Sequence, residues 1–436
     1  MQLFEELESE VRGYCRSWPT VFDRAHGWTL VDESGREYLD FFAGAGALNY
    51  GHNHPVLIDR LCSYLGRQGI VHGLDMATTA KREFMERFQS IVLEPRGLDY
   101  KLQFPGPTGT NSVEAALKLA RKVTGRHRVV SFTNAFHGMT LGSLAVTGNS
   151  MKRRGAGVPL TMADSMPFQN FGDDDVDTLG YFSSMLADDG SGIDSPAAVI
   201  LETVQAEGGI NVATDDWLRR LGTLCKKYGI LLIIDDIQVG CGRTGDFFSW
   251  ESAGLEPDIV CLSKSLSGSG LPMALTLLKP EHDIWEPGEH NGTFRGNNAA
   301  FVTAGAALEL FWTDDTMTRE TERKAHRVRA GLEALAVEHD GVFVEARGRG
   351  LIQGLQTAVP ELADEITTEA FERGLVIETA GSSGDVVKFL PPLIVDDAAI
   401  DRALEILAAA TDAVVDRMGE ELRDRTEPLA AAEVGS

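Results

Sequence analysis

The chain has 436 residues, 43% of them hydrophobic and 24% charged, which is enough for a large core and two domains. Its formal net charge of −25 argues against nucleic acid or an anionic membrane as a partner. The longest apolar runs are too short to span a membrane, the N-terminus is acidic, and the five cysteines lack metal-binding spacing. We therefore expect a cytoplasmic protein without a metal site.

The first 44 residues predict a helix followed by a small hairpin. Residues 28–32 and 37–42 read as its strands, with a turn between them. A glycine-rich loop covers residues 43–55, and helical spacing of apolar positions predicts helices at 56–65 and 79–93.

The stretch 101–121 predicts a strand, a turn of small residues and a helix that opens near Gly109 and Thr110. Free backbone N–H groups at a helix start, together with a hydroxyl, form a site for an anion such as phosphate. The alternative is ordinary capping of the helix by Thr108 or Asn111, which needs no ligand.

Two more predicted strands lead into chemically interesting residues. Phe136 follows the strand 129–132, where an aromatic ring can lie flat on a planar cofactor, although a core phenylalanine is the alternative. An apolar strand at 197–201 delivers Glu202 and Glu207 into a glycine loop.

A run of five apolar residues, 230–234, leads directly into Asp235 and Asp236. An unpaired carboxylate at the end of a buried strand is costly, so a cation or a strong donor must lie nearby. The protonated ring nitrogen of pyridoxal phosphate is such a partner. A salt bridge to Arg243 or a helix cap are the alternatives.

The apolar run 259–262 predicts another buried strand, and Lys264 follows it before a glycine-rich loop. Ligands collect at the carboxyl ends of strands in open α/β sheets. A lysine buried there tends to lose its charge, and a neutral amine is the form that reacts with a carbonyl cofactor. The alternative is a lysine that snorkels from the strand end.

From about residue 316 a charged helix and a mixture of short strands and helices indicate an α+β unit. We therefore divide the chain into an N-terminal segment (1–44) packing with the small domain, a large domain (45–315) that holds the site, and a small C-terminal domain (316–436).

Taken together, these residues resemble the class III pyridoxal-phosphate aminotransferases from Gly35 to about Asp396. Lys264 matches the family's Ser-Lys lysine, and Asp235 to Gly245 match its D-E-x-Q-x-G-x-G-R-T-G box, with Asp236 in place of glutamate. The resemblance implies an α/β protein of PLP-dependent transferase fold type I, with a mostly parallel seven-stranded sheet in the large domain and a smaller α+β domain.

The resemblance also implies roles for the residues. Lys264 would bind pyridoxal 5′-phosphate and move the proton, and Asp235 would keep the cofactor's ring nitrogen protonated. Phe136 would stack on the ring, and Gln238 would reach its 3′-oxygen.

For the phosphate, the resemblance implies Gly109 and Thr110 of one chain together with Thr293 of the partner subunit. The site would then be shared, in a homodimer or a dimer of dimers.

Two positions concern the substrates. Glu207 and Arg347 match residues that pair as a gate in relatives using terminal amines, where the arginine binds the carboxylate of glutamate or 2-oxoglutarate when the pair opens. Relatives acting on ornithine or GABA carry an arginine where this chain has Met139, which argues against both substrates. What replaces that arginine is open, with Asn49, Tyr50 and Lys152 as guesses.

Longer blocks are similar to the diaminobutyrate-forming transaminases of ectoine biosynthesis. The implied reaction converts L-aspartate 4-semialdehyde and L-glutamate to L-2,4-diaminobutyrate and 2-oxoglutarate by a ping-pong mechanism. Alternatives are a diaminobutyrate or other ω-amine transaminase of siderophore or peptide metabolism, a racemase or aminomutase, and a non-catalytic relative. The blocks are residues 46–53, 70–76, 95–101, 104–111, 235–238 and 290–296.

Overall fold

The computed structural model describes residues 1–172 and 176–433, with side chains described as far as residue 417. Within those ranges, no helix combines the length and the apolar character that crossing a membrane would require.

The strands of the described residues begin with an N-terminal hairpin and end near residue 389. They are β1 (Phe22–His26), β2 (Thr29–Asp32), β3 (Glu37–Asp40), β4 (Lys101–Gln103), β5 (Val129–Phe132), β6 (Ala163–Met166), β7 (Ala198–Leu201), β8 (Val204–Gln205), β9 (Asn211–Val212), β10 (Leu231–Asp235), β11 (Ile259–Leu262), β12 (Leu275–Leu278), β13 (Phe343–Arg349), β14 (Ile352–Thr357), β15 (Leu375–Val376), β16 (Glu378–Ala380) and β17 (Val386–Phe389).

Helices alternate with these strands along most of the chain. They are α1 (Gln2–Leu7), α2 (Tyr14–Ser17), α3 (Ala43–Gly46), α4 (Pro55–Gly66), α5 (Thr79–Arg87), α6 (Gly109–Thr124), α7 (Leu141–Ala145), α8 (Ser150–Arg154), α9 (Thr178–Ala187), α10 (Asp215–Tyr228), α11 (Asn298–Phe311), α12 (Thr316–Glu338), α13 (Pro360–Glu372) and α14 (Asp397–Glu433). Shorter 3₁₀ turns occur at Glu94–Arg96, Lys264–Ser267 and Pro280–His282, and a π-helical turn at Phe88–Leu93.

The central sheet has seven strands in the order β4-β12-β11-β10-β7-β5-β6. Its pairs are parallel except those that β12 makes with β11 and β4. The predicted mostly parallel seven-stranded sheet is therefore confirmed. Since β10 and β11 are parallel, with Asp235 opposite Cys261, the residues that follow these two strands lie at the same edge of the sheet.

The inner strands of this sheet are buried along their whole length because helices cover both faces. Continuous apolar runs such as Leu231–Asp235 reflect that double burial. Helix α6 packs one apolar side on this sheet, with Val113 and Leu117 fully buried. It begins at Gly109, as the sequence predicts.

The described residues also form a two-stranded sheet of β8 and β9 and two four-stranded sheets. One has the order β13-β14-β17-β16, and the other has the order β1-β2-β3-β15. The predicted hairpin is confirmed as β2 and β3, and β15 joins β3 in parallel, so the strands between residues 22 and 40 share a sheet with residues 375–376. The predicted helix 79–93 is α-helical only to Arg87, where the π-helical turn takes over.

Candidate active site

Functional side chains gather at the carboxyl edge of the central sheet. Asp235 is the last residue of β10, Lys264 follows β11 by two residues, Glu202 follows β7, and Phe136 follows β5 after a short turn. These four strands are parallel, so their ends converge, as in other open α/β sheets where ligands bind at this edge.

The backbone at Lys264 is held in an unusual conformation. Its φ is +48°, in the left-handed region that non-glycine residues seldom adopt, and it opens a 3₁₀ turn. Such strain persists where the surrounding structure enforces it, and it clusters at active sites. Burial lowers the pKa of the Lys264 amine to about 8, opposed by the negative charge of Glu207. The amine is therefore partly neutral near physiological pH.

Asp235 is buried, with only 4% of its surface exposed. Its Oδ2 lies 2.7 Å from Nδ1 of His137, and its Oδ1 accepts from the backbone N–H of Ile237 at 3.2 Å. Burial opposes charge on His137, but the hydrogen bond and charge of Asp235 outweigh it and raise the pKa of the imidazole. The Asp235 carboxylate therefore has the His137 imidazole as a hydrogen-bond partner at Oδ2 and a backbone N–H at Oδ1.

The alternative prediction, a salt bridge between Asp235 and Arg243, is wrong. Arg243 is fully buried, and its guanidinium donates to the side chain of Asn49 at 2.6 Å and to two backbone carbonyls, those of Leu351 and Pro391. Arg243 therefore ties loops together and does not neutralise Asp235.

Glu207 pairs with a lysine. Nζ of Lys388, on β17, lies 2.8 Å from Oε1 of Glu207 and 2.9 Å from Oε1 of Glu378. Burial raises the pKa of Glu207, but the Lys388 charge outweighs it and lowers that pKa to about 2. Gln238 donates to Glu207 at 3.2 Å and to the carbonyl of Ala45 at 2.7 Å, so its amide is fixed beside the same carboxylate.

Phe136 lines a cavity of about 410 Å³ together with Glu207. Its backbone N–H donates to Oε2 of Glu202 at 2.9 Å, which fixes the loop after β5. Burial raises the pKa of Glu202 to about 7, partly opposed by His137. The ring of Phe136 is thus held at the wall of an open space, as a stacking residue needs.

The start of α6 keeps the features of an anion site. Thr108 is the N-cap residue, and its side chain makes no capping hydrogen bond but donates to Asn111 at 2.8 Å. The hydroxyl of Thr110 lies 2.8 Å from the Ser143 hydroxyl. Side-chain capping by Thr108 or Asn111 is therefore absent from the described contacts. The N–H groups of Asn111 and Ser112 bond to the carbonyl of Thr108, and those of Gly109 and Thr110 are left for a ligand.

Arg347 lies on β13 and is not paired with Glu207. Its guanidinium donates to Asn211 at 2.8 Å and has Nε 3.3 Å from Glu345. It lines a cavity of about 620 Å³, and Asn134 lines both this cavity and the one beside Phe136. The two cavities therefore adjoin through Asn134.

Three further predicted residues, Thr293, Asn49 and Tyr50, have no hydrogen bond to the side chains of this cluster among the described residues. Thr293 is exposed, and in the part of the chain that the structure describes no hydrogen bond joins it to Gly109 or Thr110. Of the guesses for the substrate's far end, Asn49 donates to the carbonyl of Cys241 and accepts from Arg243, while the Tyr50 hydroxyl accepts from the indole of Trp312. Asn49 and Tyr50 are thus engaged in buried packing.

Sequence reasoning missed two residues of the site, His137 and Lys388. His137 stands directly after Phe136, but its contact with Asp235 spans 98 residues. Lys388 could have been recognised from the sequence, because it interrupts the apolar run 386–390. A lysine in a buried strand requires a carboxylate partner.

The family described as aminotransferase class III matches residues 14–411. The chain belongs to the class III aminotransferases. A diaminobutyrate–2-oxoglutarate transaminase of Streptomyces anulatus is 60% identical over 408 residues, covering 94% of this chain and 97% of the relative. A transaminase of the same description from Virgibacillus pantothenticus is 56% identical, covering 95% of this chain and all of the relative.

Solved structures of aminotransferases share the fold. The ornithine aminotransferase of Toxoplasma gondii superimposes with a TM-score of 0.82 at 26% identity, covering 95% of both chains. A Bacillus anthracis aminotransferase superimposes with a TM-score of 0.84 at 22% identity, covering 94% of this chain and 97% of the other, which supports the fold alone. The aminotransferase therefore has the fold type I architecture of PLP-dependent transferases.

This membership makes pyridoxal 5′-phosphate the cofactor. The residues present fit it: a partly neutral amine at Lys264, a buried carboxylate at Asp235, an aromatic wall at Phe136 and unsatisfied amides at the start of α6 match its aldehyde, ring nitrogen, ring face and phosphate.

The lowered pKa of Lys264 predicts the pH dependence of cofactor capture by the apoenzyme. Only the neutral amine attacks the aldehyde, so the capture rate should rise with pH and level off above about pH 8, where most of the amine is neutral. An amine at the ordinary value of 10.5 would keep gaining reactivity through pH 9 and 10. Stopped-flow absorbance measures the rate, and a slope that persists to pH 10 would contradict the prediction.

Proposed function

We propose that this aminotransferase converts L-aspartate 4-semialdehyde and L-glutamate to L-2,4-diaminobutyrate and 2-oxoglutarate. The observation that carries the proposal is the identity of 56–60% to relatives described as diaminobutyrate–2-oxoglutarate transaminases over at least 94% of the chain. From the sequence blocks that resemble transaminases of ectoine biosynthesis, we also propose that the enzyme acts in that pathway in the cytoplasm.

Bound pyridoxal phosphate supplies an aldehyde that accepts the amine and a ring that delocalises electrons. In our proposal, Nζ of Lys264 holds the cofactor and then moves a proton to and from the carbon bearing the reacting amine. Asp235 keeps the ring nitrogen protonated, and His137 orients that carboxylate from its other side at 2.7 Å. Phe136 stacks on the ring, and Gln238 reaches its 3′-oxygen.

Both substrates would use one site in turn, as a ping-pong mechanism requires. We propose that Arg347 binds the α-carboxylate of glutamate or 2-oxoglutarate through two parallel hydrogen bonds. Supporting this, Arg347 borders the cavity next to Phe136 and is held by neutral Asn211 and partly exposed Glu345. Because Lys388 already neutralises Glu207, the gate would open without breaking a Glu207–Arg347 pair.

Glutamate and aspartate semialdehyde supplied to the purified enzyme should yield equal amounts of diaminobutyrate and 2-oxoglutarate, measured by chromatography. Ornithine should be a poor amine donor in the reverse direction, because its chain is one carbon longer than that of diaminobutyrate and Met139 has no charge for its far end. Turnover of ornithine at a rate equal to that of diaminobutyrate would contradict the substrate assignment.

We also propose a homodimer, alone or as half of a dimer of dimers, in which Gly109 and Thr110 share the phosphate with Thr293 of the partner subunit. Apolar side chains beside Thr293 support an interface, since Phe294 is 65% exposed and Ile70, Val71 and Met76 are each more than half exposed. A patch of this kind on a folded chain marks a contact surface.

Phe294→Glu is expected to shift the aminotransferase toward monomers and to weaken its affinity for pyridoxal phosphate by about tenfold or more, because Thr293 would leave the phosphate. Val337→Glu is the matched control, since Val337 is 80% exposed on α12. Sedimentation gives the mass and equilibrium dialysis gives the affinity. Monomers that keep full affinity would contradict the role of Thr293, and an unchanged mass would contradict the interface.

A further inference from the structure

We propose that Lys152 binds the carboxylate at the end of the substrate remote from the reacting amine. The inference rests on the proposed function, in which both amine donors carry such a carboxylate. Diaminobutyrate reacting through its terminal amine has its α-carboxylate at the far end, and glutamate reacting through its α-amine has its γ-carboxylate there. A carboxylate leaving water needs a cation or several donors.

Met139, which follows Gly138, does not supply that cation. Met139 is 55% exposed and its thioether is only a weak acceptor. Asn49 and Tyr50 are engaged in buried contacts away from the cavity walls. The charge for the substrate's far end must therefore come from another residue.

Lys152 lines the same cavity of about 410 Å³ as Phe136 and Glu207. Its Nζ lies 4.2 Å from the centroid of the Phe136 ring. Within the described side chains, no carboxylate forms an ion pair with Lys152, whereas Glu207 already has Lys388. Lys152 is thus a cation held against the aromatic wall of the cavity, with its charge available to an anion.

The local backbone fixes Lys152 in this place. The side chain of Asn149 caps α8 by accepting from the backbone N–H of Lys152 at 3.0 Å. A Cβ at Gly148 would lie 2.9 Å from the backbone nitrogen of Asn134, so only glycine lets this segment approach the loop that carries Phe136. The neighbouring Arg153 donates to the carbonyl of Thr147 at 3.0 Å.

The distances suit a short substrate. Extended diaminobutyrate spans about 5 Å between its terminal amine and its carboxyl carbon, by ordinary bond lengths. The cavity of about 410 Å³ that Lys152 lines with Phe136 and Glu207 has room for a chain of this length. Lys152 is in this sense a specificity residue for amine donors with a remote carboxylate.

The test compares each donor with an analogue that lacks the remote carboxylate. Lys152→Met should lower the second-order rate constant of the half-reaction with L-2,4-diaminobutyrate by about 10- to 100-fold. The rate constant for 1,3-diaminopropane, which is the same molecule without the carboxylate, should change less than about twofold, because it makes no such bond. Lys152→Arg should keep most of the diaminobutyrate rate.

Arg154→Met is the matched control, since Arg154 is an exposed cation on the same helix and lies outside the cavity lining. It should leave both rate constants unchanged. Calorimetric titration with glutarate, which carries two carboxylates and no amine, adds a measurement without turnover, and Lys152→Met should weaken its binding by about tenfold. A loss that is equal for diaminobutyrate and diaminopropane, or unchanged glutarate binding, would overturn the proposal.

Failure of the proposed function gives a different result. In that case the unmodified enzyme does not react with diaminobutyrate. The comparison of diaminobutyrate with 1,3-diaminopropane is then replaced by a comparison of L-glutamate with L-2-aminobutyrate, which is glutamate without its γ-carboxylate. Selective loss of glutamate reactivity in Lys152→Met would support the role of Lys152. Equal loss with both amino acids would overturn it.

Discussion

Lys264→Ala is expected to lower the turnover number by about four orders of magnitude or more, because in our proposal one amine both holds the cofactor and moves the proton. The strained φ of +48° and the pKa lowered to about 8 single out this lysine among those described. The measurement is steady-state turnover of diaminobutyrate with 2-oxoglutarate, at saturating pyridoxal phosphate.

Lys279→Ala is the control for Lys264→Ala. Lys279 follows the neighbouring strand β12 and pairs with Asp258 at 3.0 Å, on the side of the sheet away from the site. It should leave turnover within about twofold, as expected for a partly exposed ion pair. Turnover of Lys264→Ala within about a hundredfold of the unmodified enzyme would refute the assignment of Lys264.

Asp235→Asn is expected to lower the turnover number by about 10²- to 10³-fold, because it removes the charge that we propose keeps the cofactor's ring nitrogen protonated, while it keeps the side-chain shape. The carboxylate is buried, so water does not replace the lost charge. His137 also loses its charged partner, and its pKa should fall because burial is then opposed only by the charge of Glu202. Steady-state kinetics gives the first effect, and NMR titration of the imidazole gives the second.

Asp236→Asn is a matched control from the adjacent residue. Asp236 is 1% exposed, and burial raises its pKa to about 7, so its carboxyl is already partly protonated at neutral pH. Its Oδ2 accepts from the backbone N–H of Ser249 at 3.1 Å, a contact that lies away from the cofactor site. Turnover should stay within a few-fold. An equal loss in both variants would show that charge at Asp235 has no special role.

The sequence was sufficient for the parts of the fold that are buried on both sides. Strands such as β10 and β11 appear as uninterrupted apolar runs, because helices cover both faces of the sheet. The location of the site at the carboxyl edge of the sheet was predictable for the same reason, since Asp235 and Lys264 come at the ends of those runs. The π-helical turn at Phe88–Leu93 was not predictable, because its apolar spacing also fits an α-helix.

Pairings inside the site were harder to predict than its location. The ion pair of Glu207 with Lys388 spans 181 residues, and the resemblance suggested Arg347 as the partner of that carboxylate. Which cation lies nearer depends on the register of β17 against β14 and β16, which no local pattern specifies. Interactions with the cofactor and the partner subunit stay predictions.

The most direct test of the account is the half-reaction spectrum of the purified enzyme loaded with pyridoxal phosphate. Adding L-2,4-diaminobutyrate should bleach the visible cofactor band, and adding 2-oxoglutarate should restore it, while ornithine leaves it nearly unchanged. Bleaching by glutamate with no response to diaminobutyrate would keep the aminotransferase chemistry and contradict the proposed substrate.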